Sequence, residues 1–218
     1  PELAHAVNGA GAGLIARATA ARGIPLIHIS TDYVFDGALA RPYREEDPVK
    51  PLSVYGASKL AGERAVREEN PDHLILRTAW VYSPYGRNFL KTMLKLAEAR
   101  DEIRVVCDQI GNPTSAHDIA GGILAAAKAR RVQGTRGWGK TYHLAGSGEA
   151  SWHEFAAHIF EESARRGGPS ARVTPIATED YPTKAVRPRN SRLCCDRFAD
   201  AFGYRAPAWR EAVAKTLA

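Results

Sequence analysis

Two short apolar runs with a helix between them constrain the fold of this chain more than any other feature. Ile24-Pro25-Leu26-Ile27-His28-Ile29 and His73-Leu74-Ile75-Leu76-Arg77 each have the length of a buried strand and are rich in branched side chains. Between them, from about Val54 to about Glu69, Ala57, Leu60, Ala61 and Ala65 recur at helical spacing. Strand, helix, strand is a parallel crossover unit, and a parallel sheet must be covered on both faces. The fold class is therefore α/β, and chemistry is expected at the carboxyl ends of the strands, where Ser30-Thr31-Asp32 follows the first run.

The rest of the chain follows the same alternation. Pro1 to Arg22 predicts an opening helix ended by Gly23, with Leu3, Val7, Leu14 and Ile15 spaced as its apolar face. Gly37 to Leu52, with Pro42, Pro48 and Pro51, predicts an irregular surface loop. A helix is expected around Phe89, Met93, Leu94 and Leu96, a strand at Ile103-Arg104-Val105-Val106, a helix over residues 117 to 130 and a strand at Tyr142-His143-Leu144. Ser151, with Glu154 three residues on, caps a helix from Trp152 to Arg165. Beyond Gly167-Gly168-Pro169 the pattern weakens, with a Pro- and Arg-rich stretch at 182–192 and a last helix from about Trp209. This order divides the chain into a first α/β part, residues 1–145, and a smaller lobe, residues 146–218, to which residues 83–104 could also contribute.

Composition excludes several function classes. With 44% hydrophobic and 25% charged residues in 218, the chain has an ordinary globular core. Its net charge of +6 is spread over sites such as Arg130-Arg131, Arg165-Arg166 and Arg187 to Arg192, without interleaved aromatics, so no nucleic-acid partner is expected. Three cysteines, Cys107 and Cys194-Cys195, give neither a disulfide framework nor a metal-ligand spacing, which fits a reducing cytoplasm. No run approaches a membrane span and Pro1-Glu2-Leu3 has no signal pattern, so neither membrane nor export is expected.

The most informative spacing is Tyr55-Gly56-Ala57-Ser58-Lys59, a phenol and an ammonium four residues apart on one helix face. A cation held beside a phenol favours the phenolate and brings it toward useful proton exchange. Alone the spacing is more often an ordinary exposed pair; its context decides. Ser30-Thr31-Asp32-Tyr33-Val34-Phe35-Asp36-Gly37, then Tyr55 to Lys59, then Arg77-Thr78-Ala79-Trp80-Val81-Tyr82, with Asp108 to Thr114 and Arg187-Pro188-Arg189-Asn190-Ser191, resembles the extended short-chain dehydrogenase/reductases, and among them the dTDP-4-dehydrorhamnose reductase family.

The resemblance runs the length of the chain and implies a Rossmann-like, doubly wound parallel sheet with a smaller C-terminal α/β substrate-binding lobe. It also implies hydride transfer from NADPH or NADH to the C4 carbonyl of a dTDP-linked keto-deoxysugar, in deoxysugar and cell-surface polysaccharide biosynthesis. On that basis Tyr55 protonates the developing alkoxide, Lys59 binds the nicotinamide ribose and lowers the Tyr55 pKa, and Thr31 polarises the same carbonyl oxygen. Ser30 joins Tyr55 and Lys59 on the cofactor side, Tyr33 and Trp80 wall the sugar, and Asn88 and Arg187 are candidates for the nucleotide and its diphosphate. Taken singly, Tyr33 and Trp80 fit core positions and Arg187 a solvated loop. The segment Asp108 to Thr114 fits a structured turn as well as a substrate or interface role.

Gly9-Ala10-Gly11-Ala12-Gly13 follows no strand, so it fits close helix packing better than a phosphate-binding turn. Members of the resembled family open with a strand and a glycine-rich turn, whereas the first helix here matches one found farther along. A chain of these residues alone is therefore expected to lack the pyrophosphate grip and the groups that choose NADH or NADPH, and to need cover on its sheet edge. Some relatives are magnesium-linked homodimers; no carboxylate cluster here forces a metal site, and a homodimer stays open. Two alternatives remain at this level: a nucleotide-sugar epimerase or dehydratase, disfavoured because Thr31 is followed by Asp32-Tyr33 and not an acidic pair, and a non-catalytic subunit resembling the methionine adenosyltransferase β subunit.

Overall fold

The computed structural model describes residues 1–182 and 187–218 of the chain. A short helix α1 (Glu2–His5) passes through a π-helical turn, Ala6–Ala10, into α2 (Gly11–Ala20). Then come β1 (Leu26–Thr31), α3 (Val54–Glu69) and β2 (His73–Thr78), the crossover unit expected from the apolar runs. The chain continues through β3 (Val81–Tyr82), α4 (Phe89–Ala97), β4 (Glu102–Val106), β5 (Ile110–Gly111), β6 (Thr114–Ser115), α5 (Ala116–Gln133) and β7 (Lys140–His143). It ends with β8 (Ala150–Ser151), α6 (Trp152–Ala164), β9 (Arg172–Ile176), α7 (Asp196–Phe202) and α8 (Trp209–Thr216).

β2 is the centre of a parallel sheet of order β1-β2-β7, with Thr31 opposite Thr78 at its carboxyl end. Among the described residues no strand pairs with the other edge of β1. Period-two alternation divides the strands between two faces. Leu26 and Ile75 meet Ala12, Ala16 and Val66 under α2 and α3, while Ile27, Leu74 and Leu76 meet Ile119, Ala126 and Phe198 under α5 and α7. Both faces are thus covered, as parallel strands require.

The face expected for the first helix is not the one it buries. Leu3 is 77% and Leu14 64% exposed; the buried side is made of Gly9, Ala12, Gly13 and Ala16, packed on α3. Small residues win because the two backbones approach closely: a Cβ on Gly62 of α3 would stand 2.1 Å from the Asn8 carbonyl oxygen, and one on Gly13 3.0 Å from Ala65 Cβ. Helix packing, not phosphate binding, uses these glycines. Gly62→Ala should therefore lower stability by about 1–3 kcal/mol, outweighing the roughly 1 kcal/mol that alanine offers in a helix. A denaturant titration showing a more stable variant would contradict this packing.

A second sheet pairs β4 with β9 in parallel, from Glu102 opposite Arg172 to Val106 opposite Ile176. α4 and α6 pack beside it, and Leu90, Met93, Ile103, Phe155, Ile159 and Val213 share one core. β9 and α7 lie in the region where the sequence pattern weakens. α7 returns to the first sheet, its Phe198 and Phe202 rings edge-on to Tyr142 of β7. Two short pairings join the parts: β3 runs parallel to β6, and β5 antiparallel to β8.

Candidate active site

At the carboxyl ends of β1 and β2 lies a cleft of about 390 Å³ that brings together Ser30, Thr31, Tyr33, Tyr55, Lys59 and Trp80, six of the eight residues singled out in the sequence. The local sequence explains the arrangement. Ser53 caps α3 by accepting from Gly56 N at 3.1 Å, which puts Tyr55 in the first turn and Lys59 one turn on. Gly56 lets that turn lie against the backbone after β1, since a Cβ there would stand 2.1 Å from the Tyr33 carbonyl oxygen. The Tyr33 and Tyr55 rings meet edge to face at 5.9 Å and 76°.

The Thr31 hydroxyl accepts from Tyr33 N at 3.2 Å and donates to Asp32 Oδ1 at 2.8 Å. Asp32 is 2% exposed and its Oδ2 has no partner. Burial pushes its carboxyl up to about 7, opposed by the Thr31 hydrogen bond and by the nearby Ser191 hydroxyl and backbone.

Burial raises the Tyr55 phenol above its ordinary value, opposed by the Thr31 hydroxyl and reinforced by Asp32. One turn on, the Lys59 Nζ donates to the Ile29 carbonyl at 2.6 Å. Burial lowers the Lys59 pKa and Glu63 opposes the drop. The phenol is thus held neutral, which is the form a proton donor needs.

Behind the cleft Glu63, fully buried on α3, gathers the three elements that supply it. It accepts from Ser30 Oγ of β1 at 2.6 Å, from Arg77 of β2 through Nε and Nη2, both at 2.8 Å, and from Arg67 at 2.8 Å. Ser30 therefore spends its one proton on Glu63. Burial alone would raise the Glu63 carboxyl, but Arg77 and Ser30 outweigh it and hold it below the usual carboxylate range.

Trp80 stands at φ +46°, in the left-handed region rarely adopted by bulky residues. Its ring is held in place by stacking on Trp152 at 3.6 Å and 6°, and by donating from Nε1 to Ser191 Oγ at 3.1 Å. Gly111 makes room beneath, since a Cβ there would stand 2.5 Å from the indole. Asn112 ties the same turn to Gly148 O and Leu193 N. The Asp108 to Thr114 segment thus packs behind the Trp80 wall.

Trp152 also borders a larger cleft of about 510 Å³, with Phe89, Met93, Gln109, Tyr181 and Arg187 around it. Arg187 is exposed there; burial raises the Tyr33 phenol above its ordinary value, and the Arg187 charge only opposes that rise. Asn88 lines neither cleft. It is consumed as the cap of α4: Oδ1 accepts from Lys91 N at 3.1 Å, and Nδ2 donates to Ser83 O at 2.7 Å and Tyr85 O at 3.2 Å.

Asp32, Glu63, Thr78 and Trp152 escaped the sequence reading as site residues. Thr78 ends β2 with a buried, unpartnered hydroxyl in the cleft. Its place at a strand end was a usable signal; the position of Trp152, on the distant α6, was not.

The donor set fits one end of a reduced nicotinamide dinucleotide: a neutral phenol and an ammonium border a cleft beside the exposed Ile29, suited to ribose hydroxyls and an aromatic ring. A Tyr and Lys one turn apart on a helix, beside a Thr at the end of a parallel-sheet strand, define a short-chain dehydrogenase/reductase type of site on a Rossmann-like fold.

The comparisons narrow this class. The family model described as RmlD substrate binding domain matches residues 1–218. The dTDP-4-dehydrorhamnose reductase of Sinorhizobium fredii is 49% identical over 217 residues, covering 100% of this chain and 73% of the relative. The crystal structure of a dTDP-4-dehydrorhamnose reductase from Clostridium acetobutylicum superposes with a TM-score of 0.91 at 37% identity, over 99% of this chain and 73% of that one. The Bacillus anthracis enzyme in complex with NADP gives 0.88 at 36% identity, with the same coverage. The chain belongs to the dTDP-4-dehydrorhamnose reductase family.

Proposed function

We propose that this chain carries the reduction centre of an NAD(P)H-dependent oxidoreductase that converts dTDP-4-dehydrorhamnose to dTDP-rhamnose. The observation that carries the reading is the single cleft that joins Thr31, Tyr55 and Lys59 to an indole wall. Family membership favours reduction over dehydration, epimerisation or a binding-only role.

When bound, the reduced nicotinamide supplies a hydride, the electron pair that reduces the carbonyl carbon. The phenol of Tyr55 gives its proton to the carbonyl oxygen, completing the alcohol, and regains one from water in the open cleft. Thr31 hydrogen-bonds that oxygen as charge develops. Lys59, Tyr55 and Ser30 border the cofactor side, and the lysine charge offsets the transient phenolate.

Tyr33, Trp80 and Trp152 enclose the sugar. The larger cleft beyond Trp152 takes the nucleotide, with the exposed Arg187 guanidinium suited to a diphosphate. Asn88 acts there only by shaping the start of α4.

The test is to follow reduced-nicotinamide absorbance with dTDP-4-dehydrorhamnose and, in parallel, dTDP-glucose. Oxidation with the first alone is expected. Dehydration of the second, or no turnover of either, would remove the reading.

The described residues contain no helix long and apolar enough to cross a membrane.

A further inference from the structure

The reacting oxygen needs a hydrogen-bond donor, and the Thr31 hydroxyl has one proton and two lone pairs. One lone pair takes Tyr33 N–H at 3.2 Å, and the proton goes to Asp32 Oδ1 at 2.8 Å. In that state Thr31 can offer a carbonyl oxygen nothing but lone pairs, which repel it. The neighbour that takes the proton is itself incomplete: Asp32 is buried, lines the cleft, and its Oδ2 has no partner.

We propose that Asp32 is a positioning residue for the reduction, which in its protonated form donates to the second lone pair of Thr31 and so turns the Thr31 proton toward the reacting oxygen. The inference rests on the reductase reading. An ionised Asp32 can only accept, and holds Thr31 in the unproductive direction. A protonated carboxyl has one O–H to give, satisfies the free lone pair of Thr31, and leaves that hydroxyl a donor beside Tyr55.

The surroundings favour the protonated form in the working range. Facing Asp32 are the hydroxyls of Thr31 and Ser191 and, on its own turn and on α3, the phenols of Tyr33 and Tyr55. Arg187 acts on Tyr33, and Lys59, on the same cleft wall, is hydrogen-bonded to Ile29 O. Burial outweighs the hydrogen bonds to Asp32 and pushes its carboxyl up to about 7. The site thus loses its second donor as pH rises through neutrality.

Asp32→Asn separates this from a packing role, because the asparagine amide keeps the shape and donates at every pH. The pH dependence of kcat/KM for dTDP-4-dehydrorhamnose should be measured for the intact enzyme and this variant from about pH 6 to about pH 9. The wild type should fall by about 10²-fold as the donor is lost, and the variant should lack that limb and overtake it at the alkaline end.

Two readouts do not need turnover. An infrared carboxylic-acid band that titrates near neutrality should vanish in the variant. The melting temperature of the variant relative to wild type should also climb with pH. A folded-state value raised above the unfolded one contributes stability that is fully present below about pH 4 and lost as pH rises through about 7, a loss asparagine escapes. A wild type that turns over with the same pH profile as the variant overturns the proposal and leaves the reductase reading intact. A wild type with no turnover at any pH overturns the reading, and absence of the titrating infrared band then overturns the proposal on its own.

Discussion

Tyr55→Phe will lower kcat by about 10²- to 10⁴-fold with KM changed little. The reason lies in what the phenol is asked to do. Its ring packs edge to face on Tyr33, a contact phenylalanine keeps, so the ground-state shape of the cleft survives. What disappears is the proton that the carbonyl oxygen needs only as it becomes an alkoxide. Such a loss appears in kcat and kcat/KM together, and corresponds to roughly 3–5 kcal/mol of transition-state stabilisation. Because burial raises the phenol above its ordinary value, Tyr55 itself stays protonated on the alkaline side of neutrality. A variant with near-normal turnover would mean that another group, or water, donates the proton, and the assignment of Tyr55 would fail. Steady-state kinetics with both cofactors, alongside a melting curve to confirm the fold, is sufficient.

Glu63→Ala on α3 should destabilise the fold by about 3–5 kcal/mol. Arg77 is almost fully buried on the central strand, and two of its nitrogens donate to Glu63. Its Nη1 is already without a partner. Truncating Glu63 leaves a guanidinium charge inside the protein with no carboxylate beside it. A hydrophobic replacement of both Glu63 and Arg77 should cost far less than either single change, because the penalty belongs to the unpaired charge rather than to the lost contact. Urea titrations of the two single variants and the double variant decide the matter; additive losses would contradict this account. The charge of Glu63 has the opposite pH signature to Asp32. Its folded-state value is held below the ordinary one, so its contribution is present above the unfolded carboxylate pKa and is lost only as pH falls through the folded value.

These two carboxylates mark where local reading stops. Periodicity places Glu63 on a helix and Asp32 after a strand, and that is all spacing can say. That Glu63 is a buried hub depends on β1, α3 and β2 converging on one point, with Ser30, Arg67 and Arg77 arriving from 33, 4 and 14 residues away in the chain.

The chain's own residues determined the crossover unit, the capping of α3 and α6, the Tyr55–Lys59 helix face and the strand end that presents Thr31. Each is a local matter of period, cap or turn chemistry, carried by neighbours within a few residues. Only the tertiary structure decided which face of the first helix is buried, because the close approach of α2 to α3 favours Gly9 and Gly13 over Leu3 and Leu14. It alone decided that Asn88 is spent as a cap, that Trp152 from α6 stacks on Trp80 to wall the cleft, and that the Thr31 proton points at Asp32. Those facts belong to pairs of groups far apart in sequence, and burial sets both the protonation of Asp32 and the pairing of Glu63, so no local pattern could carry them.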